Sequence, residues 1–514
     1  MQDQASSTER AVALSLIAFG VLFRLWLRYP TDFWEDEIIA ATHAGVPLWQ
    51  LVAEVVRNDT HPPLYFLQLD IWGWISRSDL WLTLNSVAWS YVAIFSLWSV
   101  AGRLYGRRVA LLAAAVFAVS PSPTFLADQL RMYPMLATLF IWTFFLTVRL
   151  FRDRRRSAGA VAGLWLLQLA IINSHAIGFY AVLMEGIFAL SLILAQPRER
   201  SALALWLGVY ASLAVCALPW LVSGMMHDGN LGDGGGIGGV LNSLATTTIG
   251  LIARGPWLTA LGILAYAAAV AAGLSSQKTR LATWSFLIAP LALSALVSLA
   301  YKPLFKWNLF STLAAPVIAL NLAIAYAEAG ERRLRSLGVP AFVALLCLLA
   351  IATRLSVHIS SGFRDRANLV LANYRPGDLV YAPQQPVFWG VAHYLAGPDW
   401  GSPLRISQPP SPQWRSVYRK LGPGLVRTFH LVPDTQMLES NGIKILVGND
   451  SADQAAGARR IWLLTMPRAD LKPGYPPALL AGLAPQWSDH NHTWATLYAR
   501  GPQKIVVPPL LAPD

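Results

Sequence analysis

The chain has 514 residues, of which 55% are apolar and only 13% are charged, and its formal net charge is +12. This composition is too apolar for several soluble domains of ordinary make-up and indicates an integral membrane protein. Nucleic-acid-binding proteins are also basic, but here the basic residues form short clusters between apolar runs, as they do in membrane proteins. The sequence therefore predicts membrane lipids as partners and excludes nucleic acid.

Apolar runs long enough to cross a bilayer occur along most of the chain. A helix needs about 20 mainly apolar residues to cross the hydrocarbon layer. We predict about eleven transmembrane helices, from runs at residues 11–28, 81–102, 109–127, 132–149, 158–174, 176–195, 201–222, 256–274, 281–300, 308–327 and 337–354. A further apolar stretch, Pro62 to Ile75, is short and contains Asp70. It fits a helix that lies in the interface or re-enters, with a short crossing as the alternative.

Several short loops are rich in arginine and lysine, and such loops stay on the cytoplasmic side of a membrane. An even number of predicted crossings separates each loop from the next, so all of them can share one side; they lie at residues 103–108, 149–156, 196–200, 277–280 and 328–335. Because the total number of crossings is odd, we predict a cytoplasmic N-terminus and a C-terminal segment outside the cytoplasm.

The character of the sequence changes after Arg354, where mixed polar residues and prolines replace the apolar runs. Short apolar strands at 378–382, 443–447 and 460–465 alternate there with helix-compatible stretches such as 364–374. This alternation predicts a small soluble α/β domain. The sequence thus predicts a transmembrane domain over residues 1–354 and an extracytoplasmic domain over residues 355–514.

The loop after the first apolar run contains three adjacent carboxylates, Glu35, Asp36 and Glu37. Carboxylates crowded together at the edge of a membrane suit a general base or a metal ligand. The alternative is a solvated acidic cap on an interfacial helix.

Two further motifs place polar residues on the same predicted side. His61 precedes two prolines that favour a helix start, so its imidazole would lie at a helix N-terminus, where it could bind a phosphate or an acceptor. The alternative is a simple helix-start signal. Arg131 lies in the segment from Ala127 to Tyr133, which interrupts two apolar runs, and an ionisable group at that depth needs an anionic partner. That partner is either a lipid phosphate or Asp128.

The same predicted side carries His175 and a lysine pair, Lys302 and Lys306. A lysine pair outside the cytoplasm runs against the positive-inside bias, and either lipid head groups or a phosphate leaving group would explain it. Arg24 and Arg28 either reach the outer interface or face the same anionic site.

Four motifs follow one another within residues 10–330: WEDE, HPPLYF, DQLRMY and SHAIGFY. Together they resemble the GT-C superfamily of membrane glycosyltransferases, in particular the branch of the protein O-mannosyltransferases and the bacterial lipid A aminoarabinose transferases. The resemblance implies a GT-C-like fold in a bacterial inner membrane, with the C-terminal domain in the periplasm. It also implies a polyprenyl-phosphate-linked sugar donor, transfer on the outer face to a lipid, glycan or protein acceptor, and inversion at the anomeric carbon.

The resemblance assigns roles to residues of the first loop and of an outer helix end. Asp36 matches the acidic residue that acts as catalytic base in the family, and Glu37 is its usual neighbour. His175 matches a family histidine at an outer helix end, and His61 belongs to the HPPLYF motif. We assign both histidines to substrate binding.

The segment from Asp128 to Tyr133 matches one that the family usually has as Gln-Glu-Ala-Arg-x-Tyr. Arg131 then carries over as a phosphate ligand, and Tyr133 as a substrate-binding residue. Gln129 replaces the family's glutamate, so Asp128, which we assign to substrate binding, is the nearest carboxylate, and a divalent metal ion stays an open alternative. In a later segment a lysine stands where the family often has arginine, so the predicted ligands of the donor phosphate are Arg131, Lys302 and Lys306.

Two other classes of protein fit a polytopic chain of this kind. A lipid-linked sugar flippase or another transporter would also bind anionic lipid, but transporters tend to contain inverted repeats and charged mid-membrane helices. We find no internal repeat, and the charged residues gather on one face. A scaffold that binds through its outer domain is the second alternative, because a fold by itself does not determine activity.

Overall fold

The structure is a computed structural model. It describes residues 5–26, 32–44, 48–49, 51–52, 55, 61–175, 178–196, 200–227, 241, 244–245, 256–300, 307–328, 347–348, 351, 362–382, 385–396, 405–406, 437–440, 442–447, 458–466, 480, 482–489, 493–503 and 505–506. Internal contacts divide the chain into two compact units. The first contains Met1–Tyr29, Thr60–Tyr65 and Thr83–His358, and the second contains Pro30–Asp59, Phe66–Leu82 and Ile359–Asp514. The predicted functional domains, 1–354 and 355–514, divide the chain differently and stay a prediction.

The first unit is helical wherever it is described at length. Its helices are α1 Ser7–Trp26, the main part of α4 Asp79–Tyr105, α5 Arg107–Val119, α6 Pro121–Ala127, α7 Tyr133–Thr147, α8 Ala158–Ile172, α9 Gly178–Leu194, α10 Arg200–His227, α11 Pro256–Ser275, α12 Arg280–Thr283, α13 Ala289–Ala300 and α14 Trp307–Glu328. α7 continues as a π-helical turn through Val148–Arg152, and Trp284–Ile288 is a second π-helical turn between α12 and α13. The described helices overlap every predicted run except 337–354, which lies almost entirely outside the described residues.

Among the described helices, five are long and apolar enough to cross a membrane, or six if the bent pair of α5 and α6 forms one span. The described part of the protein is therefore mostly helical, with five or six apolar spans, and the larger total of eleven stays a prediction. The stretch that the sequence left open is α3, Leu64–Gly73, which has ten residues. A helix of that length extends about 15 Å, half of the roughly 30 Å of a hydrocarbon core. Its length favours the interfacial or re-entrant interpretation over a crossing.

The predicted run 109–127 is two helices, not one. α5 ends at Val119 and α6 begins at Pro121, and the angle between them is 62°. Ser120 has an extended backbone with ψ 130°, because the ring of the following proline disfavours the helical conformation. The last carbonyl groups of α5 are thereby directed to partners outside their own helix.

Helices α7 and α9 are joined by both aromatic and polar contacts. The rings of Phe144 and Phe188 stack with their centroids 5.2 Å apart. The two carboxyl oxygens of Glu185 each accept a hydrogen bond of 2.8 Å, one from Thr143 and one from Thr147. Polar contacts of this kind between apolar helices fix which faces meet.

The second unit combines helices with a sheet. Its described helices are α2 Glu35–His43, most of α3, the first turn of α4, α15 Phe363–Asn373 and α16 Gln385–Ala396. Its described strands are β1 Leu379–Ala382, β2 Arg405–Ile406, β3 Met437–Ser440, β4 Ile443–Val447, β5 Arg460–Thr465, β6 Ala484–Asp489 and β7 Trp494–Ala499. β1, β4, β5 and α15 lie where the sequence predicts them.

The described strands form one mixed sheet in the order β2-β3-β4-β1-β5-β7-β6. β1 is parallel to both β4 and β5, with Tyr381 opposite Leu446 and Leu463. All residues of β1 and β5 are buried, as expected for strands that are covered on both faces. β7 is antiparallel to β5 and alternates half-buried with buried residues.

Candidate functional site

Arg131 lies in a buried turn between α6 and α7. The N–H of Asp128 donates to the carbonyl oxygen of Phe125 (3.2 Å), and the N–H of Arg131 donates to that of Gln129 (2.7 Å). Ser86 Oγ donates to the carbonyl oxygen of Arg131 at 3.2 Å. Only 3% of Asp128 and 5% of Arg131 are exposed. The two ionisable side chains therefore lie in the protein interior, where a partner of opposite charge stabilises each of them.

Four of the residues that the sequence singled out meet at this turn. Arg131 Nη2 lies 3.3 Å from His61 Nε2. The His61 ring meets the His175 ring edge-on at a centroid distance of 4.9 Å, and the Tyr133 ring lies 5.9 Å from His175. We call these four residues the Arg131 cluster. It combines the planar N–H fork of a guanidinium with imidazole and phenol groups, a set of donors that suits an anion such as a phosphate.

Main-chain contacts bring the distant segments of the cluster together. The N–H of Leu64, at the start of α3, donates to the carbonyl oxygen of Asn173, at the end of α8, at 2.8 Å. The chain then turns at His175, whose carbonyl oxygen accepts from the N–H of Gly178 at 2.8 Å. A Cβ atom on Gly178 would overlap the carbonyl oxygen of Ile171. The turn therefore requires glycine, because only glycine allows so close an approach of two backbones.

Arg24 lies next to this region and is fully buried. Its Nη1 donates to the carbonyl oxygens of Gly20 (2.7 Å) and Ala118 (2.6 Å), and its Nε donates to Ser90 Oγ at 2.8 Å. Ala118 belongs to the last turn of α5, whose carbonyl groups the bend at Ser120 leaves available. Arg24 thus joins α1 to the end of α5 and does not reach the outer interface.

The charge of Arg24 is attracted by Asp128, in the turn that carries Arg131. Its partner Ser90 lines a pocket whose other polar lining residues are Tyr133, Ser311 and Thr312. The remaining walls are apolar, as in many small-molecule sites. Arg24 therefore lies buried beside the turn that carries Arg131, and an anionic site there stays a prediction.

The acidic motif lies in the second unit, where Glu35, Asp36 and Glu37 form the first turn of α2. Glu37 is 4% exposed, and its Oε2 accepts a hydrogen bond of 3.2 Å from the N–H of Trp34. A carboxylate in this position caps a helix and complements its dipole. Glu37 therefore stabilises the start of α2, while the half-buried Asp36 has a different environment.

Three of the basic residues that the sequence singled out cannot be placed. Lys302, Lys306 and Arg28 lie outside the described residues. Their assignment to a phosphate or to the interface stays a prediction.

Sequence reasoning missed a second polar cluster, which lies wholly in the second unit. Arg364 Nη2 donates to Asp79 Oδ2 at 2.7 Å, and His393 Nε2 lies 3.2 Å from Asp79 Oδ1. The main-chain N–H of Arg364 donates to Asp32 Oδ2 at 3.2 Å. No spacing in the sequence signals these contacts, because their partners are some 300 positions apart. The only sequence signal was the prediction of a helix that begins at Arg364.

Tyr394 completes this second cluster. Its hydroxyl oxygen accepts a hydrogen bond of 2.8 Å from the N–H of Phe33, and its ring lies 5.0 Å from the guanidinium carbon of Arg364. Burial of the hydroxyl, together with the nearby charges of Asp79 and Asp32, raises the pKa of Tyr394 well above its usual value. The phenol therefore stays neutral and keeps its hydrogen-bonding role over the physiological pH range.

The family resemblance leaves open whether a divalent metal ion is needed. Among the residues that the structure describes, no group of three His, Cys, Asp or Glu side chains is arranged to hold a metal ion. Gln129, which stands where the family has a glutamate, is buried, and its Oε1 has no hydrogen-bond partner in the described part of the chain. A single amide oxygen is a weak basis for a metal site.

No protein-family model matches the sequence, and no curated protein matches it at a significant level. The fold, however, is similar to solved structures of ArnT from Cupriavidus metallidurans. The structure bound to undecaprenyl phosphate has a TM-score of 0.54 and 12% identity, over 97% of this chain and 100% of that chain. The apo structure has the same score and identity, over 96% of this chain and 100% of that chain.

A third similar structure is the Archaeoglobus fulgidus oligosaccharyltransferase in complex with Zn and sulfate, with a TM-score of 0.42 and 14% identity over 70% of this chain and 56% of that chain. That score is too low to support an inference. ArnT, a lipid A aminoarabinose transferase, is a GT-C glycosyltransferase. The fold that the resemblance predicted is thus confirmed, because the fold of this chain is similar to that of ArnT.

Proposed function

We propose that the chain is a glycosyltransferase that moves a sugar from a polyprenyl-phosphate-linked donor to a lipid, polysaccharide or protein acceptor, with inversion at the anomeric carbon. The observation that carries the proposal is the Arg131 cluster, in which His61, Arg131, Tyr133 and His175 meet in the interior of a GT-C-like fold. The ArnT structure bound to undecaprenyl phosphate supports the choice of donor class.

In this proposal Arg131 binds the phosphate that leaves the anomeric carbon. Charge develops on that phosphate as the glycosidic bond breaks, and a buried guanidinium stabilises it more strongly than a solvated one does. His61, at 3.3 Å from Arg131 Nη2, orients the guanidinium and supplies a second hydrogen-bonding group. Lys302 and Lys306 are further ligands of the donor phosphate, and Asp128, Tyr133 and His175 contribute to the binding of donor and acceptor.

Asp36 is the proposed catalytic base. The acceptor hydroxyl must lose a proton as its oxygen attacks the anomeric carbon, and a carboxylate can accept that proton. The carboxylate of Glu37 accepts a hydrogen bond from the N–H of Trp34. Of these two carboxylates, we therefore assign the proton transfer to Asp36 and the stabilisation of the helix start to Glu37.

The proposal includes a membrane topology. About eleven helices cross the inner membrane, the N-terminus lies in the cytoplasm, and residues 355–514 lie in the periplasm, because basic loops stay cytoplasmic. To test the topology, Cys216 and Cys347 are replaced and single cysteines are introduced into loops and into the C-terminal segment. Intact spheroplasts are then treated with a thiol reagent that does not cross the membrane, and the labelled positions are recorded. Labelling of the C-terminal segment is the expected result, and a protected C-terminal segment contradicts the topology.

The test of the function is sugar transfer by the purified protein in liposomes. A panel of polyprenyl-phosphate sugars is offered with lipid, polysaccharide and peptide acceptors, and products are identified by mass spectrometry. Mass spectra of envelope glycans and lipid-linked sugars from a strain that lacks the protein would narrow the panel. Transfer by the wild type is the expected result. Translocation of a lipid-linked sugar without transfer would instead support the flippase alternative.

A further inference from the structure

The loop that carries α2 begins and ends at contacts with the same two helices. Near its start, the side chain of Asp32 accepts a hydrogen bond from Arg364, and the N–H of Phe33 donates to Tyr394. At its end, Asp79 forms an ion pair with Arg364. Arg364 thus contacts both ends of the loop, one through its main-chain N–H and the other through its guanidinium. All of these residues belong to the second unit.

The contact at the start of the loop completes a helix that lacks a cap of its own. α15 has Gly362 at its N-cap, a residue without a side chain that could bind the free N–H groups of the first turn. Asp32 Oδ2 accepts from the N–H of Arg364 and so supplies this cap from a distant part of the chain. The helix dipole adds to the attraction, because it favours a carboxylate at an N-terminus.

The residue next to Asp32 is held even more closely. Phe33 is fully buried, its N–H donates to Tyr394, and its ring lies 5.9 Å from that of His393. Trp34 follows as the N-cap, and Glu35 begins α2, so the first turn of α2 starts two positions after Phe33, whose backbone and side chain are both held. Asp36 lies in that turn.

The contact at the end of the loop is an ion pair with a second partner. Asp79 is the first residue of α4. One of its carboxylate oxygens accepts a hydrogen bond from Arg364, and the other contacts His393. α15 and α16, which supply these partners, pack closely, because Gly390 leaves room for the ring of Phe363 where a Cβ atom would overlap it. The two helices therefore present Arg364, His393 and Tyr394 as one rigid set.

We infer that Arg364, His393 and Tyr394 are positioning residues, which fix the start of α2, and with it Asp36, by binding both ends of the loop. This inference rests on the proposed function for the role of Asp36. It assigns a task to the C-terminal part of the chain, namely to hold a reactive carboxylate that lies in a different segment. Fixing both ends of a loop lowers the entropy that the loop would otherwise lose when Asp36 adopts its reactive geometry.

The experiment measures hydrogen exchange and kinetics on the full-length protein in nanodiscs. Arg364→Gln removes the guanidinium that pairs with Asp79 and lies over the ring of Tyr394, the partner of the Phe33 N–H. We therefore expect the amides of Phe33 and Ile38 to exchange about ten- to a hundredfold faster, the range for a lost charged hydrogen bond. We also expect kcat to fall while the KM for the donor stays constant, because Asp36 acts in the chemical step. Arg364→Lys, which keeps the charge that Gln lacks, should restore part of both values.

Arg375→Gln is the matched control, because the exposed Arg375 follows α15 in the chain and its side chain binds Gln503, away from the loop. Exchange and kinetics should not change in this variant. If Arg364→Gln fails to fold, Tyr394→Phe decides the question, since it removes one oxygen atom and should accelerate exchange at Phe33 about two- to tenfold.

Unchanged exchange at Phe33 and Ile38 in the folded variants would overturn the inference. If the amides exchange faster but kcat is unchanged, the contacts hold the start of α2 but do not position Asp36 for catalysis, and the inference is overturned. A wild type without transfer activity would instead count against the proposed function, and the exchange measurement would still test the contacts by itself.

Discussion

The Arg131 cluster and α2 carry the two kinds of group that the proposed reaction needs, and they are built in different ways. The cluster gathers residues from a turn between helices, a helix start and a helix end, and its members contact one another directly. Asp36 and Glu37 are instead neighbours in a single helical turn, whose position depends on residues far along the chain. The geometry of a site assembled from helix ends depends on how the helices pack. The geometry of a site on a short helix depends on the contacts that position that helix.

The difference between Asp36 and Glu37 gives the largest expected effect. Asp36→Asn keeps the size of the side chain but removes its ability to accept a proton, so kcat should fall by about 10²- to 10⁴-fold. The measurement is transfer in liposomes at matched folded concentration. Asp153→Asn is the control, because Asp153 is a partly exposed residue that pairs with its neighbour Arg152. Full activity of Asp36→Asn would contradict the assignment of the base.

Arg131 tests the other region of the molecule. Arg131→Gln removes the charge that we propose binds the phosphate, and loss of a charged hydrogen bond of about 1.5 to 3 kcal/mol should weaken donor use by roughly ten- to a hundredfold. Arg131→Lys should be intermediate, since it keeps the charge and loses the planar fork. Titrations with the donor measure the effect of each of these two substitutions on donor use. Donor kinetics that are unchanged in Arg131→Gln would reduce the residue to a structural role at the helix ends.

The dependence of the Arg131 cluster on helix packing can be tested at a glycine. Gly178→Ala places a methyl group against the carbonyl oxygen of Ile171, so we expect a loss of about 1 to 3 kcal/mol in stability, the usual range for overpacking. Gly208→Ala is the control, because a Cβ atom there has nothing within 4 Å. It should be neutral or slightly stabilising, as alanine is the better helix former. Thermal unfolding in detergent compares the two, and equal melting temperatures would show that the turn at His175 can adjust.

The smallest effect is expected at Glu37. Glu37→Gln keeps an oxygen that can accept from the N–H of Trp34, so stability should change by less than about 1 kcal/mol. Glu37→Ala removes that oxygen and should cost about 0.5 to 2 kcal/mol, the range for the loss of a helix cap. The melting temperatures of the two variants measure this difference. A loss of transfer in Glu37→Gln as large as in Asp36→Asn would mean that the two carboxylates share the proton transfer.

The sequence predicted those features that depend on local pattern. The apolar runs predicted helices, and the described helices lie on them, because the hydropathy of about 20 residues decides whether a segment is stable in lipid. The apolar strands of the C-terminal part were equally clear, because parallel strands buried on both faces consist mainly of unbroken apolar residues, as β1 and the middle of β5 do. The break at Ser120 also has a local cause in Pro121, although the length of the run concealed it.

What only the tertiary structure decided is which polar residues meet. His61, Arg131 and His175 each had a plausible local explanation as helix-end residues, and their contact depends on the hydrogen bond from Leu64 to Asn173 and on the close turn at Gly178. For the contacts of Asp79 with Arg364 and His393, the sequence predicted only the helix that begins at Arg364 and not the partners. Hydropathy and propensity act over a few neighbouring residues, whereas an ion pair between distant segments forms only after the packing of helices has brought them together.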